Sequence, residues 1–234
     1  MSREEFGTLV NYAPSTVGAF ETGERFPSRS LTAGADEYLK TDGVFARMLE
    51  KLLTGYVHPE WFRPWSDIEQ HATAIRSYEP TVVPGLLQTE EYARALTGDD
   101  DATAARLVRQ QILTRDNPPE VVAIIDEAVL HRHVGGREAM HGQLLRLAEA
   151  EVCVQVIPYG SDTYLGVDGS FWLATVDGRE YVYVHTPARG FVLDSAEIVS
   201  DVRHRWDILR GEALPARQSR ELILKVAETW KSES

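Results

Sequence analysis

The sequence predicts an α+β protein, with an all-helical N-terminal part followed by a larger mixed domain that holds a small, mostly antiparallel sheet. Apolar residues recur at helical spacing through the first fifty positions, whereas β-branched runs begin only at Val121. Asp177-Gly178 separates two later runs and is a strong hairpin signal. The 234 residues are 43% apolar and 26% charged, which is ordinary globular composition and excludes disordered and fibrous classes.

Short amphipathic helices are expected throughout the N-terminal part. Phe6 and Val10 share one helical face, Val17 and Phe20 share the next, and Val44–Leu53 forms a further helix. Asn and Gly tolerate positive φ and Pro cannot continue a helix, so these residue types mark the breaks. We therefore predict a helical domain over residues 1–53, a linker over 54–59 and a second domain over 60–234.

Helices and strands alternate in the second domain. Pro64 is suited to the first position of a helix, and Thr89 and Asp194 are suited to cap two others. The predicted helices are Pro64–Arg76, Glu90–Leu96, Asp101–Arg115, Arg137–Ala150, Ala196–Arg210 and a last one that opens at Pro215. The predicted strands are Val121–Ile125, Val152–Ile157, Ser170–Val176, Glu180–His185 and Gly190–Leu193.

Composition also restricts the compartment and the partners. No window approaches 18 consecutive apolar residues and no basic-then-apolar leader opens the chain, so we expect no membrane span and a cytoplasmic protein. Cys153 is the single cysteine and has no intramolecular disulfide partner. The net charge is −12, of which residues 1–53 carry −2 and the remainder −10. This balance argues against indiscriminate coating of nucleic acid, although a local basic patch remains compatible with it.

The segment from Glu4 to Gly23 has the spacing of a helix, a tight turn and a second helix of about nine residues, the geometry that carries a helix into the DNA major groove. In this interpretation Asn11 takes the left-handed turn, Pro14 begins the second helix and Gly23 ends it. The segment resembles the helix-turn-helix of the Xre and phage-repressor family, whose pattern ends in the same Glu-x-Gly.

The resemblance implies a set of DNA contacts. Base contacts carry over to Pro14, Ser15, Gly18 and Ala19, and phosphate contacts to Ser2, Arg3, Thr22, Arg25 and Arg29. The family's domain opens with a helix that precedes the position of Ser2, so we expect that first helix to be missing here. Gly18 and Ala19 offer no side-chain donor or acceptor, so base reading would depend on Ser15, backbone contacts and DNA shape. The alternative is that these are structural helices of a cap.

A second resemblance covers nearly the whole chain from Glu60 onward. The motifs are Glu60-Trp-Phe-Arg-Pro-Trp-Ser-Asp-Ile-Glu69, Tyr78-Glu-Pro-Thr-Val-Val-Pro-Gly-Leu-Leu-Gln-Thr-Glu-Glu-Tyr-Ala-Arg-Ala-Leu96 and Gly169-Ser-Phe-Trp-Leu173. They are similar to the domain that follows the Xre-type helix-turn-helix in a large set of actinobacterial regulators. That family implies an antitoxin-like regulator, often encoded beside a small partner protein, with a domain whose ligand is undefined.

Two interpretations of the run from Val83 to Leu96 remain open. As a packing device, Pro84-Gly85 turns the chain and Thr89 caps an apolar helix. As a ligand or partner site, polar and aromatic residues would line a pocket or an exposed cluster. The candidates for that site are Trp61, Trp65, Tyr78, Gln88, Tyr92 and Arg94.

Catalytic patterns are weak. His131-Arg-His133 places two imidazoles two residues apart, which would suit a metal only if Asp126 or Glu127 converged on them. Neither a metalloprotease or zinc-finger spacing nor a nucleophile elbow, phosphate loop or dinucleotide fingerprint accompanies them. We therefore expect no enzymatic activity, no catalytic residues, no metal and no cofactor.

The sequence thus predicts a DNA-binding transcriptional regulator of the antitoxin-like type. Its expected partners are operator double-stranded DNA, a second copy of the chain in a homodimer, and either a small-molecule ligand or a small partner protein. The alternative is a protein-interaction module that does not bind DNA, and a metal- or ligand-dependent enzyme that uses His131 and His133 is a third class.

Overall fold

The computed structural model describes residues 2–21, 27–49, 60–161 and 165–231, with the side chains of Ala19, Arg29 and Glu60 left aside. The chain divides into two compact units, Met1–Val57 and His58–Ser234. The predicted linker at 54–59 lies outside the described residues, as do Thr22, Gly23, Arg25 and the end of the predicted helix Val44–Leu53.

The N-terminal unit is helical, with α1 (Arg3–Val10), α2 (Pro14–Glu21), α3 (Arg29–Leu39) and α4 (44–49). Ser2 caps α1 through a reciprocal capping box with Glu5. Asn11 ends the helix at φ 60°, ψ 41°, the left-handed conformation predicted for it, and α2 begins at Pro14 as expected. Local chemistry therefore defines the turn between α1 and α2.

The C-terminal unit is a six-stranded sheet with helices on both faces. The strands are β1 (Ala74–Glu79), β2 (Glu120–Asp126), β3 (Cys153–Ile157), β4 (Phe171–Val176), β5 (Arg179–His185) and β6 (Gly190–Leu193). The helices are α5 (Arg63–His71), α6 (Glu90–Thr97), α7 (Asp100–Arg109), α8 (Glu127–His131), α9 (Arg137–Ala148), α10 (Ala196–Glu212) and α11 (Ala216–Thr229). Short 3₁₀ turns lie at Glu60–Phe62, Gly85–Leu87, Gln110–Leu113 and Leu165–Asp168.

The sheet is mixed, with strand order β3-β2-β1-β4-β5-β6, so the prediction of a mostly antiparallel sheet is wrong. β1 pairs in parallel with β2, and β2 with β3, whereas β4, β5 and β6 run antiparallel to their neighbours. The error has one source. The helix predicted over Pro64–Arg76 ends at His71, and its last residues belong to the central strand β1. Without β1, the helical crossover that makes the pairing parallel is not apparent.

Two other helix ends also differ from the prediction, in where α7 stops and in which residue caps α10. The helix predicted over Asp101–Arg115 ends at Arg109 and continues as a 3₁₀ turn. Ser195, rather than Asp194, caps α10 by accepting a hydrogen bond from the Ile198 amide. The hairpin prediction is confirmed, since Asp177 and Gly178 both have positive φ, of 49° and 76°.

The core of this unit occupies both faces of the sheet. On one face, α9 and α11 cover β2 and β3 with residues such as Met140, Leu144 and Ile223, while α5 covers β4 and β5 with Trp65. On the other face, α10 contributes Trp206 and Leu209. None of the described helices is long and apolar enough to cross a membrane.

Candidate functional site

The predicted DNA-binding elements α1 and α2 pack closely. A Cβ added at Gly7 would lie 2.5 Å from the carbonyl oxygen of Tyr12, so only glycine allows the chain to return this tightly after α1. The Tyr12 hydroxyl bonds the Ser28 and Ser30 hydroxyls at 2.5 and 2.8 Å, which ties the turn to the start of α3. Val17 is buried on the inner side of α2. These contacts hold α2 in a defined position on α1 and α3.

The outer surface of α2 is accessible. Pro14 and Ser15 are exposed and Gly18 is half-exposed. Ser2 is exposed at the start of α1, where its amide donates a hydrogen bond to Glu5. The remaining predicted contacts, at Thr22 and Arg25 and the side chains of Ala19 and Arg29, lie outside what the structure describes.

Arg3 crosses from α1 to the outer surface of α2. Its Nε donates to Glu21 Oε2 at 2.5 Å, and its guanidinium lies 3.4 Å from the position that a Cβ at Gly18 would take. Both partners of the ion pair are more than half exposed. An exposed pair of this kind contributes about 0–1 kcal/mol, so a phosphate can compete with Glu21 for the guanidinium at little cost.

Several large apolar side chains of the N-terminal unit are also exposed, among them four in α3 and α4. The four lie at the end of α3 and along α4: Tyr38, Leu39, Val44 and Met48, with exposed fractions of 41–54%, and Leu9 of α1 is 43% exposed. Exposed apolar side chains of this kind can contribute to a contact with another protein surface.

In the C-terminal unit, the run from Val83 to Leu96 is held by buried polar side chains. The Val83 amide donates to the Tyr92 hydroxyl at 3.2 Å, and Gln88 Nε2 donates to the Val83 carbonyl at 2.6 Å. Gln143 of α9 is fully buried and uses both ends of its amide, accepting from the Thr89 amide at 2.7 Å and donating to the Leu87 carbonyl at 2.8 Å. Thr89 caps α6 as predicted.

Charged side chains lie beneath the same run. Glu79 ends β1 and accepts a hydrogen bond from Trp172 Nε1 at 2.7 Å. Burial raises the pKa of Glu79 to about 7, although the Trp172 hydrogen bond and the nearby Arg106 oppose that rise. Arg106 donates to Gln88 Oε1 at 2.9 Å, and burial lowers its pKa. Glu79 is therefore a buried carboxyl that titrates near neutral pH.

The buried ion pair of Glu69 and Arg109 was not predicted from the sequence. Arg109 donates to both carboxylate oxygens of Glu69, at 2.7 and 2.8 Å, and Trp65 Nε1 donates to Glu69 at 3.3 Å. The guanidinium also lies over the Phe62 ring, 4.5 Å from its centroid. The available signal was Glu69 at the i+4 position from Trp65 on the apolar stripe of α5.

Most predicted ligand residues belong to the core. Trp65, Tyr78, Gln88 and Tyr92 are each no more than 4% exposed, Trp61 is half-buried and Arg94 is an exposed residue that pairs with Glu90 and Asp100. The structure brings Gln88 and Tyr92 together at Val83. Trp65 and Tyr78, by contrast, belong to separate clusters on opposite faces of the sheet. Burial also raises the pKa of Tyr78 to about 12. This placement favours the packing interpretation.

The two histidines considered for catalysis have different surroundings. His131 lies 3.8 Å from Glu127 and stacks on Tyr159 with the ring centroids 5.7 Å apart. His133 instead meets the edge of Trp230 at 5.6 Å. Within the described ranges, no three His, Cys, Asp or Glu side chains are grouped so that they could hold a metal ion.

Comparison with known proteins identifies the family of the larger unit. A family model described as a domain of unknown function, DUF5753, matches residues 62–225. Because the match covers more than half of the 234 residues, the chain belongs to the DUF5753 family. No curated protein and no solved structure matches the chain.

Proposed function

We propose that the protein is a DNA-binding transcriptional regulator whose N-terminal unit contacts an operator and whose C-terminal unit senses a ligand or a partner protein. The observation that carries the proposal is the position of α2. It follows α1 through a turn that Gly7 and Asn11 make possible, and it presents Pro14 and Ser15 to solvent. A helix held in this way can enter a major groove with its N-terminal residues at the base edges.

The charge distribution supports a specific rather than an indiscriminate contact. The chain carries a net charge of −12, so approach to DNA depends on local cations such as Arg3. Ser15 is able to donate to or accept from a base edge, whereas Gly18 offers only backbone. A single weak reading helix gains affinity when two copies bind adjacent half-sites, so we propose a homodimer, which sedimentation at micromolar concentration would detect.

A shift assay with the DNA upstream of the coding region tests the proposal. Binding should weaken steeply between 50 and 200 mM salt, on the order of tenfold or more for several phosphate contacts, and should fail on scrambled DNA. Equal affinity for native and scrambled DNA, or no binding at low salt, would contradict it.

Ser15→Glu separates a DNA contact from a general effect on charge. A carboxylate at this exposed position would face the phosphates and base edges, so affinity should fall at least tenfold, equivalent to about 1.4 kcal/mol. Gln111→Glu adds the same charge at an exposed position of the C-terminal unit and is the matched control. Arg3→Gln should weaken binding to all sequences alike and reduce the salt slope by about 1.

The second candidate function is a protein-interaction module of the antitoxin-like type. The exposed side chains of Tyr38, Leu39, Val44 and Met48 favour it, since they give the N-terminal unit apolar surface that DNA does not use. Absence of DNA binding together with a stable complex with a small protein encoded beside this one would favour this candidate over the regulator.

A further inference from the structure

An open cleft of about 920 Å³ lies between α10 and the start of β5. Its floor comes from the sheet, where Arg76 of β1, Thr175 of β4 and Glu180 of β5 are neighbours. Its wall is one side of α10, with Ser200 and Arg203 spaced one turn apart. The cleft is of the size that accommodates small ligands, about 300–1,000 Å³.

The lining of the cleft is unusually charged. Seven of its fourteen lining residues are charged, and four of the seven are arginines. Glu180 is largely buried between two of them, because Arg76 Nη1 lies 3.2 Å from its Oε1 and Arg203 contacts its Oε2. Two guanidiniums therefore share one carboxylate at the floor.

The other two arginines form no ion pair with the described residues. Arg179 at the β4–β5 hairpin and Arg210 near the end of α10 are exposed, and no side chain in the described part of the chain pairs with either. Two exposed carboxylates, Asp194 and Asp207, also line the cleft. Together with Glu180 they balance three of the four arginines, so the lining has one excess positive charge. The chain as a whole has a net charge of −12, so the cleft is locally positive on a protein that is negative overall.

From this arrangement we infer that the cleft binds a phosphate-bearing small molecule. Guanidinium groups present planar pairs of donors that match phosphate oxygens, and several converging arginines recognise a dianion better than a single carboxylate. The hydroxyls of Thr175 and Ser200 add donors beside them. A largely polar cleft of this volume suits a compact polyanion rather than an apolar ligand.

The inference deepens the sensor role proposed above. Only the regulatory effect of ligand binding rests on that proposed function. Binding in the cleft concerns the C-terminal unit alone and requires no DNA. A phosphate ligand would join α10 to the β4–β5 hairpin through Arg210 and Arg179, and would thereby bias the position of α10. Failure of DNA binding and failure of ligand binding are consequently separate results.

Isothermal titration of the full chain with inorganic pyrophosphate tests the inference. We expect saturable one-to-one binding that sodium chloride at equal ionic strength does not reproduce. Arg179→Ala and Arg210→Ala should each weaken it at least fivefold, and the double variant should abolish it. Arg146→Ala is the matched control, because Arg146 is an exposed arginine of α9 outside the cleft that forms no ion pair within the described ranges, and the variant should stay within twofold of the parent.

Several results would overturn the inference. Pyrophosphate binding that Arg146→Ala reduces as much as Arg210→Ala would indicate general charge attraction instead of a site. The absence of any binding heat at millimolar pyrophosphate, in a sample whose fold circular dichroism has confirmed, would also contradict the inference. Tighter, Arg210-dependent binding of a hexaglutamate peptide than of pyrophosphate would reassign the cleft to an acidic protein segment.

Discussion

Replacement of Glu79 by glutamine isolates the effect of a buried carboxyl on stability. The side chain ends β1 inside the C-terminal unit and accepts a hydrogen bond from Trp172 Nε1. Glutamine keeps an oxygen that can accept this bond and removes the charge. The substitution therefore changes the electrostatics of the site with little change in its shape.

The magnitude follows from the pKa. Burial raises the pKa of Glu79 from 4.5 to about 7, so between these values the folded state keeps a proton that the unfolded state releases. Stability contributed by Glu79 therefore falls as pH rises through this window, by up to about 3 kcal/mol in total. The Glu79→Gln variant lacks this loss. Its free energy of unfolding should therefore equal that of the parent near pH 4 and exceed it by roughly 1–3 kcal/mol at pH 8.

Urea unfolding of parent and variant at pH 4.5, 6, 7 and 8 measures the difference curve, with tryptophan fluorescence following the C-terminal unit. Glu120→Gln, at an exposed position, is the control and should give a difference close to zero at every pH. A parent-minus-variant difference that does not change between pH 4.5 and 8 would refute the reasoning, because it would mean that Glu79 ionises equally in both states.

Four further substitutions test packing and buried polar contacts. Gly7→Ala places a Cβ 2.5 Å from the Tyr12 carbonyl and should destabilise the N-terminal unit by more than about 1 kcal/mol, whereas Gly142→Ala, with open space around it, should stabilise α9 by about 0.5–1 kcal/mol. Equal thermal shifts for the two would contradict this. Gln143→Ala removes the buried side-chain amide, leaves the Thr89 amide and the Leu87 carbonyl without this hydrogen-bond partner, and should cost roughly 2–4 kcal/mol in urea unfolding. Arg109→Ala leaves the Glu69 carboxylate buried and unpaired and should cost about 3–5 kcal/mol, and a loss below 1 kcal/mol would mean that water reaches the carboxylate.

The parts of the fold that sequence analysis predicted well depend on short-range chemistry. Asn11 takes the left-handed turn, α2 begins at Pro14 and Thr89 caps α6, and each of these features depends on residues within a few positions. The Asp177-Gly178 hairpin follows from the positive φ that these residues tolerate. The prediction of DNA contacts at Pro14 and Ser15 is compatible with their exposure and waits for the binding assay.

The features that sequence analysis predicted wrongly depend on contacts between residues that are distant in the sequence. The stretch Ala74–Glu79 follows an amphipathic helix without a Gly or Pro to separate them, so helical spacing extends across the boundary. Its identity as the central strand depends on pairing with β2 and β4, which lie about fifty and a hundred residues away. Once β1 is placed between them, the sheet is mixed rather than antiparallel.

The sequence by itself determined the starts of α2 and α6 and the tight turns at Asn11 and Asp177-Gly178, because caps, prolines, glycines and Asx residues act over a few positions. Only the tertiary structure decided the strand order, the pairing of Arg109 with Glu69 and the convergence of Arg76, Arg179, Arg203 and Arg210 on one cleft. These features form when the gain from burial and strand pairing offsets the entropy of closing long loops, and that balance is a property of the whole chain.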